Sequence, residues 1–455
     1  MDHASIYRVI SSTRWLKYSA IISTALVAAF SLAARTIEAK AAYAHYMIGT
    51  VDSTTDHAKQ DIVDAQAMGF DGFALNVRLP NEDWAISCID QLFAAAAGTG
   101  FKLFFSLDMN GNDDVSQFAS LFSHFTDDAY LKVGDDARPF VSTFWGGRLG
   151  PDVWKGLKDE HNMYFVPSFD DIEGYYDDPQ GFFARWGDIV DGAFNWETAW
   201  PAPGDTPANV SSTADEAFQQ AAVAASKDFM MSISPLQYKH LDSNHYYRIG
   251  EGNLPERMTQ ILALGPELVE FITWNDAGES HYIGHIWEEG VPAEILQYAN
   301  TDDFPHYDWQ PLLTSFIRAF KDGADASQMI PPSSSGGSDS DTPIGAMWYR
   351  GVLKSCTSGL PDNAQAAVDA VNYALVLPAS LEGAAIRVTS GGSVLSETAA
   401  VAGLNYATVG GIVTGAQKLE VLSGDTVVAT AAGGPDVQGD QPEFCNFNYL
   451  VVGLE

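Results

Sequence analysis

Cysteine is scarce in this chain of 455 residues, which has three. So few exclude a disulfide-dense scaffold, and their spacing offers no paired-cysteine zinc motif. Basic residues are also few. Lys and Arg total 24 against 59 Asp and Glu, a formal charge of −35. Nucleic acid and anionic membrane surfaces both call for basic patches, so neither is an expected partner. A polymer substrate would be neutral rather than anionic. Three catalytic signatures are missing too. No GxGxxG follows the first predicted strand, and neither HExxH nor GxSxG occurs. Dinucleotide chemistry, zinc hydrolysis and a serine nucleophile therefore lack local support. No metal or cofactor is expected.

Long apolar runs are confined to the start. Arg8, Arg14 and Lys17 precede Ala20–Phe30, and Ala39-Lys40-Ala41 fits a small-x-small cleavage site. Residues 1–41 read as a signal peptide. The apolar core falls short of the ~20 residues that span a bilayer, which disfavours the alternative, a signal anchor. In a secreted chain Cys356 and Cys445 are expected to pair, while Cys88 sits in an apolar helix pattern. Asn209-Val210-Ser211 is a sequon.

From residue 42 to about 330 two periods alternate. Strand patterns fall at 46–51, 70–77, 102–107, 139–144, 163–168, 191–194, 229–234 and 268–274. Helical patterns lie between them, among them 57–68, 83–96, 213–227 and 254–264. Repeated strand–helix units imply parallel strands, and the length suits a (β/α)8 TIM-like barrel. An open doubly wound sheet is the alternative. Residues 331–341 form a Pro/Ser/Gly linker. Beyond it, 342–455 shows short strands with turn signals and no helices between them, the pattern of a β-sandwich.

Chemistry concentrates where predicted strands end. Trp274-Asn275-Asp276-Ala277-Gly278-Glu279-Ser280-His281 follows the last one. Two carboxylates three residues apart beside an indole suit hydrolysis of a glycosidic bond, one donating a proton and the other activating water or attacking the sugar. Glu279, with the longer reach, is expected as the acid and Asp276 as the base. Asp171 and Glu173, inside the acidic run 170–178, are the rival pair. Asp108 opens a polar run through Asp114 that lacks the spacing of a calcium loop and reads as a helix cap. Trp145, Trp196, Trp200 and Trp274 are candidate sugar platforms, since sugar rings present apolar C–H faces that stack on aromatics. Glu197 sits between two indoles, and His45 and His281 are candidate hydrogen-bonding groups.

Taken together, Ala44–Gly49, Gly69–Asn76, Phe165–Phe169, Phe194–Glu197, Ser232–Pro235 and Trp274–Ser280 resemble the fungal α-1,3-glucanases, the mutanases of glycoside hydrolase family 71. The resemblance implies a secreted, metal-independent, inverting hydrolase of α-1,3-glucan, with a barrel and a C-terminal β-sandwich. It places the catalytic pair on Asp276 and Glu279. It leaves His45, Asn76, Asp108, Trp145, Asp171, Glu173, Trp196, Glu197, Trp274, Asn275 and His281 as substrate-binding candidates. The expected partner is a neutral polysaccharide, met by a monomer outside the cell or in the wall. Other readings are a barrel glycosidase for another neutral glycan, such as α-mannan, and a glycan-binding wall protein without catalysis.

Overall fold

Apolar runs of two to seven residues pair side by side. They are β1 (Ala41–Met47), β2 (Gly72–Val77), β3 (Lys102–Asp108), β4 (Arg138–Phe144), β5 (Tyr164–Phe165), β6 (Gly192–Asn195), β7 (Asp228–Ile233) and β8 (Leu268–Phe271). A computed structural model describes residues 39–51, 56–241, 244–332 and 341–455. Most of the predicted signal peptide and of the 331–341 linker lies outside the described residues.

All eight strands run parallel, in the order β5-β4-β3-β2-β1-β8-β7-β6. β1 therefore lies between the second strand and the last, and the sheet curls. Two backbone hydrogen bonds run between the β5 and β6 regions, Asp191 N to Phe165 O (2.7 Å) and Phe194 N to Pro167 O (3.0 Å). Every residue of β2, β7 and β8 is buried, as expected for parallel strands covered on both faces.

The cover is helical. α1 (His57–Met68), α2 (Asp83–Ala96), α3 (Pro151–His161), α4 (Pro179–Trp186), α5 (Thr213–Ala224), α6 (Asn253–Leu264) and α7 (Gln310–Asp322) follow β1, β2, β4, β5, β6, β7 and β8. A 3-10 helix, Val115–Thr126, follows β3, and Asp114 caps it by accepting from Ser116 N. The run after Asp108 is thus the helix cap expected from sequence.

The first strand differs from its expected 46–51. It begins at Ala41, beside Leu268, and Ile48–Thr50 is a 3-10 turn. Small alanines gave no alternation to read at 41–44. Between β7 and α6 the chain makes an unforeseen hairpin, Gln237–Leu241 against Asn244–Arg248.

The C-terminal region holds two antiparallel four-stranded sheets. The first has the order β13 (Gly403–Gly410), β10 (Ala370–Leu377), β9 (Ile344–Arg350), β16 (Tyr449–Gly453). The second has β12 (Ser393–Ala399), β11 (Ala385–Ser390), β14 (Gln417–Ser423), β15 (Thr426–Ala431). Alternation gives the first sheet two tasks. Met347, Tyr349, Tyr373 and Leu375 share a core with Ile386, Val388, Leu419 and Val421 of the second sheet. Ala346, Trp348, Ala374 and Val376 point the other way and join the core of the parallel sheet. Cys356 and Cys445 form a disulfide, and Cys88 is a buried free thiol.

Candidate active site

The loop leaving β8 is built to turn two acidic side chains into one place. Thr273 Oγ1 accepts from Asp276 N (2.8 Å), and Asp276 Oδ1 accepts from Glu279 N (3.0 Å). Ser280 then takes a left-handed φ of +60°, rare for a residue with a side chain. That reversal brings His281 back beside Glu279, with Nε2 3.2 Å from Oε2, while Nδ1 lies 3.3 Å from Thr273 Oγ1.

Glu279 reaches the hairpin. Gln237 Nε2 donates to its Oε2 at 2.6 Å, Lys239 Nζ lies 3.3 Å from Oε1, and the Tyr246 phenol hydrogen-bonds the same carboxylate. Burial alone would raise its pKa. The hydrogen bond and charge of His281, then the Lys239 charge and the Gln237 amide, outweigh burial and hold Glu279 well below the usual carboxylate range. Asp276 shifts the other way. Burial and the neighbouring Glu279 charge raise it, against the opposing charges of His281 and Lys239. Of the two carboxyl groups, Asp276 therefore holds a proton more readily than Glu279. Ligand atoms of Asp276, Glu279 and His281 lie within 4.8 Å of one another. The Gln237 amide, the His281 imidazole and the Lys239 ammonium around Glu279 are the surroundings of an anion rather than of a hard cation.

Other strand ends face the same way. His45 on β1 is fully buried, with Nδ1 2.8 Å from Glu270 of β8, and its Nε2 has no protein partner. Asn76 at the end of β2 hydrogen-bonds Asp108 at the end of β3. Burial raises the Asp108 pKa, opposed by its bond from Asn110 N and by Arg78, His45 and Asn76. After β4, Trp145 is part-exposed at φ +64° and stacks on Phe144, with ring centroids 5.2 Å apart. After β6, Trp196 packs edge-on to His45 at 4.7 Å, and Glu197 pairs with Arg248 of the hairpin at 2.6 Å. Arg248 also donates to Gln237 Oε1 (3.3 Å), so Glu197, Arg248, Gln237 and Glu279 form one chain.

A conserved-domain model, glycosyl hydrolase family 71, matches residues 38–455. The chain belongs to that family. It is 29% identical over 425 residues to a glucan endo-1,3-alpha-glucosidase of Schizosaccharomyces pombe, covering 89% of this chain and 91% of the relative. A mutanase of Penicillium rubens is 28% identical over 438 residues, 91% of this chain and 88% of the relative. An ascus wall endo-1,3-alpha-glucanase of Schizosaccharomyces pombe is 27% identical over 444 residues, 91% and 97% of the two chains. Among solved structures, the GH99 endo-alpha-mannosidase of Bacteroides thetaiotaomicron gives a TM-score of 0.49 at 10% identity, covering 63% of this chain and 98% of that one.

Within this family 71 chain the structure separates the sequence candidates. Asp276, Glu279 and His281 come together. Trp274 does not present a face to a cleft. It is fully buried, 5.3 Å from the Phe73 ring, and a Cβ on Gly284 would stand 2.4 Å from its indole. Asn275 spends its amide on β1, accepting from Met47 N (2.8 Å) and donating to Met47 O (3.2 Å). It is a clamp between the first strand and the last loop. The rival pair also divides. Asp171 accepts from Gly147 N and Arg148, fixing the turn after β4, while Glu173 is exposed. Neighbouring Asp170 is the residue missed. Burial and the Glu197 charge push it up to about 7, against the Tyr176 hydroxyl bond, and its buried Oδ1 has no protein partner. The preceding Phe169 packs on Trp186, with ring centroids 4.7 Å apart.

Proposed function

We propose that this protein is an endo-acting hydrolase of α-1,3-glucan, as the names of its relatives suggest, and that Asp276 and Glu279 do the chemistry. The observation that carries this reading is geometric: one loop brings side-chain atoms of Asp276, Glu279 and His281 within 4.8 Å of one another, and the hairpin's donors bond Glu279, which displaces the two carboxyl groups in opposite directions. Asp276, with its raised pKa, holds the proton that the leaving glycosidic oxygen needs. Glu279, ionised among three donors, takes the proton of the attacking water. The roles are thus the reverse of those expected from reach. The longer side chain found the hairpin's donors, which favour its charged form. His45, Asn76, Asp108, Trp145, Asp170, Trp196, Glu197 and His281 would bind the sugars. Release of reducing ends from insoluble α-1,3-glucan, but not from β-glucan, starch or mannan, tests the activity. Loss of several orders of magnitude in both Asp276→Asn and Glu279→Gln tests the pair. Near-normal turnover in either would sink the assignment.

We also propose a closed (β/α)8 barrel over 42–330 and a β-sandwich over 342–455, joined by the 331–341 linker. The eight parallel strands in chain order, the two backbone bonds between the β5 and β6 regions and the core shared by the C-terminal sheets support this architecture. Residues 1–41 would direct secretion to the outside or the wall, where the protein acts as a monomer. No helix among the described residues is long and apolar enough to cross a membrane.

A further inference from the structure

The hairpin after β7 has two faces with different tasks. Cross-strand partners Gln237–Arg248 and Lys239–Tyr246 share one face, and Tyr238–Tyr247 and His240–His245 share the other. The first face carries the donors around Glu279. The second turns to the C-terminal region. The Tyr247 hydroxyl lies 2.9 Å from that of Tyr449, and the Tyr238 hydroxyl donates to Cys445 O at 3.4 Å. His240 stacks on Phe444 at 4.0 Å. On the outer strand, Tyr247 N donates to Asp362 O and Asp362 N to His245 O, both at 2.9 Å.

These contacts come from two chain segments, 358–362 and 444–449. The Cys356–Cys445 disulfide ties the two together, 89 residues apart in sequence, and Cys445 N donates to Ser358 O at 2.7 Å beside it. A second support reaches the same loop by another route. The amides of Asn446 and Asn448 donate to Tyr298 O (3.3 and 3.0 Å), and the Tyr298 hydroxyl donates to Gly278 O at 2.8 Å. Gly278 lies between Asp276 and Glu279.

We propose that the disulfide-stapled segments 356–362 and 444–449 position Glu279, through the hairpin on one side and Tyr298 on the other. This rests on the reading of Glu279 as the base. The C-terminal region is then part of the catalytic apparatus and not a detachable sugar-binding module. The physical reason is precision. A misplacement of ~1 Å, even from a change far from the chemistry, can cost about a hundredfold in rate. The bridge limits the freedom of these two segments to move apart, and so holds their contacts with the hairpin and Tyr298 in register. Without it the hairpin shifts, and Gln237 and Lys239 leave the carboxylate they hold ionised.

The test compares the whole chain with its Cys356→Ser/Cys445→Ser and Tyr298→Phe variants, and with Glu279→Gln, on α-1,3-glucan across pH. Circular dichroism and melting report the fold. The expected result is folded variants with KM within about twofold, kcat at least tenfold lower, and an acid limb of the kcat–pH profile moved to higher pH, while Glu279→Gln is inactive. A role in stability alone would lower the melting temperature and leave that limb in place. Unchanged kcat and acid limb in the folded variants, with Glu279→Gln inactive, overturns this proposal and spares the base assignment. Full turnover in Glu279→Gln overturns both. Should the double cysteine variant not fold, Tyr298→Phe and Tyr238→Phe, each lacking one hydroxyl, decide by the same readout.

Discussion

His45 and Glu270 face each other across the first and last strands of the curled sheet, 2.8 Å apart and both fully buried. The pair ties β1 to β8 and fixes the imidazole, whose buried Nε2 has no protein partner. Glu270→Ala leaves Nδ1 without its acceptor in a buried site. An unsatisfied buried group costs on the order of 1–3 kcal/mol, read from the midpoint of urea unfolding. Glucan turnover should fall with it even where the variant is fully folded, because the imidazole loses its orientation. An unchanged midpoint together with unchanged turnover would make the contact idle.

The opposite shifts of Asp276 and Glu279 set the sign of the pH dependence. With Glu279 as base and Asp276 as acid, as proposed, activity requires Glu279 ionised and Asp276 protonated, so the acid limb is assigned to Glu279 and the alkaline limb to Asp276. The Lys239 charge lowers both Glu279 and Asp276. Lys239→Met therefore raises both, and both limbs move to higher pH. Gln237→Leu removes a donor from Glu279 alone and moves only the acid limb upward, which narrows the profile. Shifts of the alkaline limb in Gln237→Leu would exchange the two roles again.

The strand–helix series was legible because buried parallel strands are short apolar runs and their covering helices carry an apolar stripe. Strands 102–107, 139–144 and 229–234 fall within a residue of their observed ends. The hairpin was not legible. Gln237-Tyr238-Lys239-His240-Leu241 has no apolar alternation, since one face serves a carboxylate and the other carries aromatic rings with polar tips. In the loop after β8, sequence gave residue types but no directions. Trp274 and Asn275 turn inward to the sheet and to β1, and Asp276 and Glu279 turn to each other's neighbourhood. In the acidic run after β5, Asp171 and Glu173 stood as the rival pair. The left-handed turn at Gly146 and the Gly147 and Arg148 donors decide that Asp171 faces the β4 loop, leaving Asp170 as the inward carboxyl.

Burial divides the tryptophans into two experimental classes. Trp274→Ala opens a hole among Phe70, Phe73 and Gly284, and large-to-small changes of this kind cost about 3–5 kcal/mol. The folded fraction should keep its specific activity. Trp145→Ala removes a part-exposed ring at the mouth of β4 and keeps the Cβ, so the backbone cost of the positive φ there is unchanged. It should leave the melting temperature within a few degrees and weaken glucan binding severalfold, measured by pull-down on the insoluble polymer. A large loss of stability in Trp145→Ala with normal binding would move that ring into the core class.

The stereochemistry of cleavage sets resemblance against spacing. The family resemblance implies inversion, for which the two carboxyl groups stand ~6.5–9.5 Å apart so that a water fits between base and sugar. The Asp276 and Glu279 ligand atoms come within 4.8 Å, close to the ~5–5.5 Å of retaining enzymes. Electrostatics weighs for inversion. A nucleophilic carboxylate must leave its hydrogen bonds to attack carbon, and Glu279 is held on both oxygens by Gln237, Lys239 and His281. A base that only takes a proton from water keeps those bonds. Proton NMR of the first products should therefore show the β-anomer before mutarotation, and no glycosyl–enzyme adduct should appear by mass spectrometry. The α-anomer as first product would make Glu279 a nucleophile and replace the water-activating step with a covalent one.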